Sequence, residues 1–111
     1  MKTNRTLEQI RNFNNIERNH WQLMCDMANN DYDINYFGGR VSINDDFNNF
    51  LQEQKDNFNI HEILDWLRDT IRECIDKQKE CNKENYQGAI DECSLLLKYI
   101  HQDYLIFNFK F

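Results

Sequence analysis

The chain contains no proline, where average usage near 5% would give about five or six, and only three glycines. Little in it interrupts a helix, so helices are expected to dominate. No run approaches the roughly 18 to 20 apolar residues that a bilayer-crossing helix needs, and Met1-Lys2-Thr3-Asn4-Arg5 opens on a mixed polar segment rather than an apolar signal region. The expected location is therefore the cytoplasm, with no membrane partner. Basic residues are in deficit: 13 Lys and Arg face 19 Asp and Glu, a formal net charge of −6. With no basic stripe to neutralise phosphates, direct nucleic-acid binding is disfavoured.

Catalytic and metal-binding patterns are missing as well. Cys25, Cys74, Cys81 and Cys93 form no Cys-x-x-Cys unit, and their long intervals do not match a structural zinc site. Cys25, Cys74 and Cys93 fall on apolar helical faces and read as reduced core thiols. His61-Glu62-Ile63-Leu64-Asp65 lacks the second histidine of a zinc-protease helix, and His20 reads as a hydrogen-bonded core histidine. The only serines, Ser42 and Ser94, sit in no nucleophile elbow. Gly38-Gly39 followed by Arg40-Val41 fits a turn rather than a phosphate loop. No catalytic set, metal or cofactor is expected.

What is present describes a foldable chain. A length of 111 residues matches one compact domain, and 41% hydrophobic with 14% aromatic residues lies outside the composition of disordered chains. Thr6-Leu7-Glu8-Gln9 is a capping box that predicts a helix from about Thr6 to Ala28, with Phe13, Ile16, His20, Leu23 and Met27 as its apolar stripe, widened by Ile10, Trp21, Met24 and Ala28. Asn59 starts another helix, whose face carries Ile60, Ile63, Leu64, Leu67, Ile71, Cys74 and Ile75. Asn82 is expected to close it, and Tyr86, Ala89, Ile90, Cys93, Leu96, Leu97 and Ile100 mark an antiparallel neighbour. Between Asp31 and Asn44 the pattern changes to Ile34-Asn35-Tyr36-Phe37, Gly38-Gly39 and Arg40-Val41-Ser42-Ile43, which predicts a β-hairpin turning at the glycines. Asp45 or Asp46 then caps a short helix that ends near Asp56-Asn57. Leu105, Phe107, Phe109 and Phe111 alternate with polar or smaller neighbours as a candidate C-terminal edge strand. The expected class is mainly α (α+β): a bundle of three to four helices with a short hairpin, one domain over residues 1–111. The 16 asparagines belong at caps and turns, and the enrichment in Asn, Ile, Lys, Phe and Tyr suits an AT-rich accessory gene.

The negative charge is concentrated in the middle of the chain. Residues 25–65 carry nine acids against Arg40 and Lys55, a net −7, while residues 1–24 carry a net +2. Asp31, Asp33, Asp45 and Asp46 flank the expected hairpin, and Tyr32, Tyr36 and Phe37 lie among them. Acids around aromatic anchors form a surface suited to a basic protein partner. In size, charge and composition the chain resembles bacterial immunity proteins, which block a basic nuclease toxin. The resemblance implies a toxin inhibitor that acts by protein–protein interaction, with these seven residues as its contact. A phage-encoded inhibitor of a host nuclease or defence complex would use the same physics. The competing enzymatic reading is a small all-α, metal-dependent nucleotide hydrolase built on Glu62-x-x-Asp65 and Glu73-x-x-Asp76, a carboxylate pattern similar to that of helical nucleotide pyrophosphatases.

Overall fold

A computed structural model describes residues 5–55 and 58–101. It is a bundle of four helices: α1 (Leu7–Met27), α2 (Asp31–Gln52), α3 (Ile60–Gln78) and α4 (Lys83–Ile100). The capping box forms as expected, with Gln9 N donating to Thr6 Oγ1 at 3.1 Å and Thr6 N donating to Gln9 Oε1 at 2.9 Å. Asn30 caps α2 by accepting from Asp33 N at 2.8 Å, and Asn59 caps α3 by accepting from His61 N at 2.9 Å. Asn82, expected to close α3, instead stands at the cap position of α4 with φ 51°, a left-handed conformation that Asn tolerates better than most residues.

The hairpin is not there. Residues 31–52 form one uninterrupted helix, no glycine has a positive φ, and Asp45 and Asp46 lie inside α2 rather than capping a separate short helix. The reason is a partner 49 positions away. A methyl group added at Gly39 would stand 1.9 Å from the carbonyl oxygen of Asn85, and one added at Gly88 would stand 2.0 Å from that of Tyr36. The two glycines let the backbones of α2 and α4 touch, which is a use of glycine unrelated to turning the chain. The expected strand at residues 105–111 lies outside the described residues.

α2 and α4 therefore form the central pair and run parallel, as the pairings Asn35–Asn85, Arg40–Glu92 and Asn44–Glu92 require. α1 packs antiparallel on α2, and α3 packs on α4. Phe47, Leu51, Leu64, Leu67, Leu96 and Ile100 are fully buried between them. Two aromatic braces close the other gaps at one end of the bundle. Phe13 stacks on Tyr99 with centroids 3.8 Å apart, joining α1 to α4, and Trp66 of α3 stacks against both Phe47 and Phe50 of α2.

The apolar stripe expected on α1 divides: Ile10, Phe13 and Trp21 turn inward, while much of the rest faces outward. Ile16 is 66% exposed, Leu23 56% and Met27 71%, and His20 is exposed rather than a core histidine, its ring edge-on to Trp21. The inward face is Leu7, Ile10 and Asn14, continued by the half-buried Glu17 and Trp21. Of the cysteines, Cys74 and Cys93 are buried as expected and Cys25 is half-buried. Among the described residues no helix is long and apolar enough to cross a membrane.

The glycine contact makes a paired prediction, read by chemical denaturation. Gly39→Ala forces the central helices apart and should cost about 1–3 kcal/mol or more. Gly38→Ala, whose new methyl would be 3.8 Å from Asn85 Nδ2, should instead gain about 0.5–1 kcal/mol from helix propensity. Equal effects at the two positions would contradict the close approach.

Candidate functional site

The seven side chains singled out in the sequence all lie on α2, which sends them in different directions. Asp31 and Tyr32 are exposed on its first turn. Asp33 is held there by Asn30 Nδ2, which donates to its carboxylate at 2.9 Å. Tyr36 and Phe37 turn inward: the Tyr36 hydroxyl donates to Asp91, and Phe37 stacks on Trp21. Asp45 and Asp46 lie about 20 Å farther along the helix, at 1.5 Å rise per residue. Asp45 is paired with Arg18 of α1 at 3.1 Å. Tyr32, Asn35, Gly39, Ser42 and Asp46 recur at spacings of 3, 4, 3 and 4, so Tyr32 and Asp46 share one face of α2, the one that meets α4 through Gly39.

The first grouping is the corner where α1 runs into α2. From Asn19 to Gly39 the chain has no Lys or Arg, and Asp26, Asp31 and Asp33 fall within it. Met27, Tyr32 and Ile34 are also there, exposed by 71%, 58% and 42%. The two aspartates of α2 sit beside the positive end of its helix dipole, which stabilises them where they are.

The second grouping is buried and was not singled out from the sequence. Arg40 of α2 donates from Nε to Glu92 Oε1 of α4 at 2.9 Å and forms an ion pair with the same oxygen through Nη2 at 2.9 Å. Asn44 Nδ2 donates to Glu92 Oε2 and to Asn14 Oδ1, each at 2.9 Å, and Asn14 Nδ2 donates to the Asn44 carbonyl at 2.8 Å. The Arg40 guanidinium also lies 4.0 Å from the centre of the Trp21 ring, whose Nε1 donates to Glu17 at 3.0 Å. Burial pushes the Glu92 carboxyl up to about 7; Asn44 works against it, the neighbouring Glu17 adds to it, and Arg40 opposes it. Tyr36 is raised too, by burial first and by its bond to Asp91 second. The polar residues at 14, 40, 44 and 92 interrupt otherwise apolar helical faces, and that was the available signal.

The third grouping is a cleft of about 330 Å³ between α2 and α3, with α4 as its floor. Gly39, Ser42 and Asp46 line one wall, Thr70, Glu73 and Lys77 the other, and Tyr86 and Ala89 the base. Glu73 is ion-paired with Lys77 at 2.7 Å. Cys74 faces this space, its thiol raised first by burial and then by Glu73. A second hollow of about 290 Å³ is lined by Tyr32, Gln78, Lys83, Glu84 and Gln87.

The α3 carboxylates of the hydrolase reading are spread over ordinary helix-surface pairs: Asp65 with Arg68, Glu73 with Lys77 and Asp76 with Lys79. Among the described residues, no three His, Cys, Asp or Glu side chains are grouped so as to hold a metal ion. No protein-family model, no curated protein and no solved structure matches the chain.

The buried cluster carries a pH prediction. Between its ordinary value of 4.5 and about 7, folded Glu92 retains a proton that the unfolded chain has released. The native state then binds more protons, so this group's contribution to stability falls as pH rises through that window. Glu92→Gln should flatten the dependence of stability on pH between about 4.5 and 7 relative to the parent. Arg40→Met, which strands the carboxyl, should cost about 3–5 kcal/mol at neutral pH. A Glu92→Gln profile parallel to the parent's would show that the residue does not titrate in this range.

Proposed function

We propose that this chain is an acidic binding protein that occludes a basic protein partner, in the manner of an immunity protein that inhibits a bacterial nuclease toxin in the cytoplasm. The observation that supports this reading is the α1–α2 corner, a base-free stretch of 21 residues that combines Asp26, Asp31 and Asp33 with the exposed Met27, Tyr32 and Ile34. Carboxylates without neutralising bases attract a positively charged surface and speed encounter, while apolar and aromatic side chains inside a charged rim supply the buried anchors. The contact set narrows to Asp31, Tyr32 and Asp33 of the original seven, with Asp46 reached along the same face of α2. Tyr36 and Phe37 support the corner from within.

Co-purification from the source organism, followed by kinetics with the recovered partner, tests the proposal. The partner should be basic. Asp26→Asn with Asp31→Asn should lower the association rate several-fold at low salt and reduce its salt dependence, since steering by charge is screened beyond about 8–10 Å at physiological ionic strength. Tyr32→Ala should act mainly on dissociation, at a cost of about 1–2 kcal/mol. A recovered partner that is acidic, or rates unmoved by all three substitutions, would overturn the reading.

A further inference from the structure

We propose that the cleft between α2 and α3 is a socket for an arginine side chain presented by the basic partner, with the Asp46 carboxylate receiving its guanidinium. This inference rests on the reading of the protein as a binder of a basic protein and adds a second contact to it. A volume of about 330 Å³ is at the small end of ligand sites and suits one long side chain.

The charge in the cleft selects a single cation. Lys77 neutralises Glu73 at 2.7 Å, whereas Asp46 has no ion-pair or hydrogen-bond partner among the described residues. One uncompensated negative charge is left. Asp46 lines the cleft and is itself exposed, so an entering cation meets it directly from solvent. The Ser42 hydroxyl and the Tyr86 phenol make no hydrogen bond to another described residue either, and Thr70 spends its proton on the Trp66 carbonyl at 2.7 Å, leaving its oxygen to accept. A carboxylate surrounded by hydroxyl acceptors matches the five donors of a guanidinium better than the compact charge of an ammonium.

The position of the cleft also fits. Tyr32 and Asp46 share a face of α2, with the contact of Asn35 and Gly39 on Asn85 between them. A partner seated on the acidic corner reaches over this contact to place a side chain at Asp46.

The test is a titration of the ¹⁵N-labelled full chain with N-acetyl-arginine methylamide, followed by amide chemical shifts. Saturable shifts are expected at Ser42, Asp46, Thr70 and Tyr86. Asp46→Asn should weaken binding roughly tenfold or more, the loss of a hydrogen bond to a charged group, with its spectrum otherwise showing an unchanged fold. The lysine analogue should bind several-fold more weakly, and Asp26→Asn with Asp31→Asn should leave the titration unchanged. Shifts that do not saturate, that spread over all surface carboxylates, or that persist in Asp46→Asn would overturn the socket, as would a lysine analogue that binds equally. Free arginine binding about tenfold tighter than the capped form would overturn the partner as its source. The titration contains no partner, so its failure removes the socket while the corner remains separately testable by the association rates.

Discussion

The backbone of α2 lies against the backbone of α4 because Gly39 and Gly88 place no side chain between them. Most packed helix pairs are kept 8–10 Å apart by the residues at their contact. Here a methyl group on either glycine would fall inside the facing carbonyl, so α2 and α4 approach as a parallel core pair and α1 and α3 pack on the outside of it. Where outer and central helices diverge, large rings fill the space at one end: Tyr99 against Phe13, and Trp66 between Phe47 and Phe50. Toward the other end of α3 the cleft remains, with Asp46 in one wall and Tyr86 at its base.

One turn beyond the glycine contact, the same closeness brings Arg40, Asn44 and Glu92 together in the interior. A fully buried carboxylate is costly, and the rise of Glu92 to about 7 shows that its partners offset that cost only in part. The cluster's return is positional. Asn14 from α1, Arg40 and Asn44 from α2, and Glu92 from α4 pair with one another in a single register, with Asn44 Oδ1 alone among them left unbonded, whereas an apolar seam would tolerate a slide. α2 is thereby tied to both neighbours along the segment that separates Tyr32 from Asp46.

How far the fold was legible depends on the range of the interactions behind each element. The capping box at Thr6, the start at Asn59 and the apolar faces of α3 and α4 rest on residues within a few positions of one another, and the structure has them, apart from Ile75 of the α3 face, which is 41% exposed. Gly38-Gly39 between short β-prone runs satisfies a local rule for a hairpin, but Gly39 answers to Asn85 and Gly88 to Tyr36, and no window along the chain contains both. The stripe from Phe13 to Met27 misled for a related reason. The inward face of α1 meets Arg40 and Asn44, so it uses Asn14, Glu17 and Trp21 and leaves Ile16 and Leu23 outside. The acidic corner was readable because it is contiguous in sequence. The buried cluster and the cleft were not, since their members come from three helices.

A binding surface on α2 follows from these constraints. Tyr32 and Asp46 stand four turns apart, about 21 Å at 1.5 Å per residue, on a helix that continues unbroken through its glycines. The glycine contact and the Arg40–Glu92 pair hold the middle of that span, so the acidic corner and the cleft keep a fixed separation before any partner arrives. Rigid placement lowers the ordering cost of association, which long flexible acids on loops would incur in full. Under the proposed function the two ends divide the work by physics: the unneutralised corner acts at a distance and on encounter, while Asp46 in the wall of the cleft acts on contact and so on retention. A hairpin carrying the same aspartates would have joined them more closely in space but would have lacked the third helix that gives Asp46 its walls.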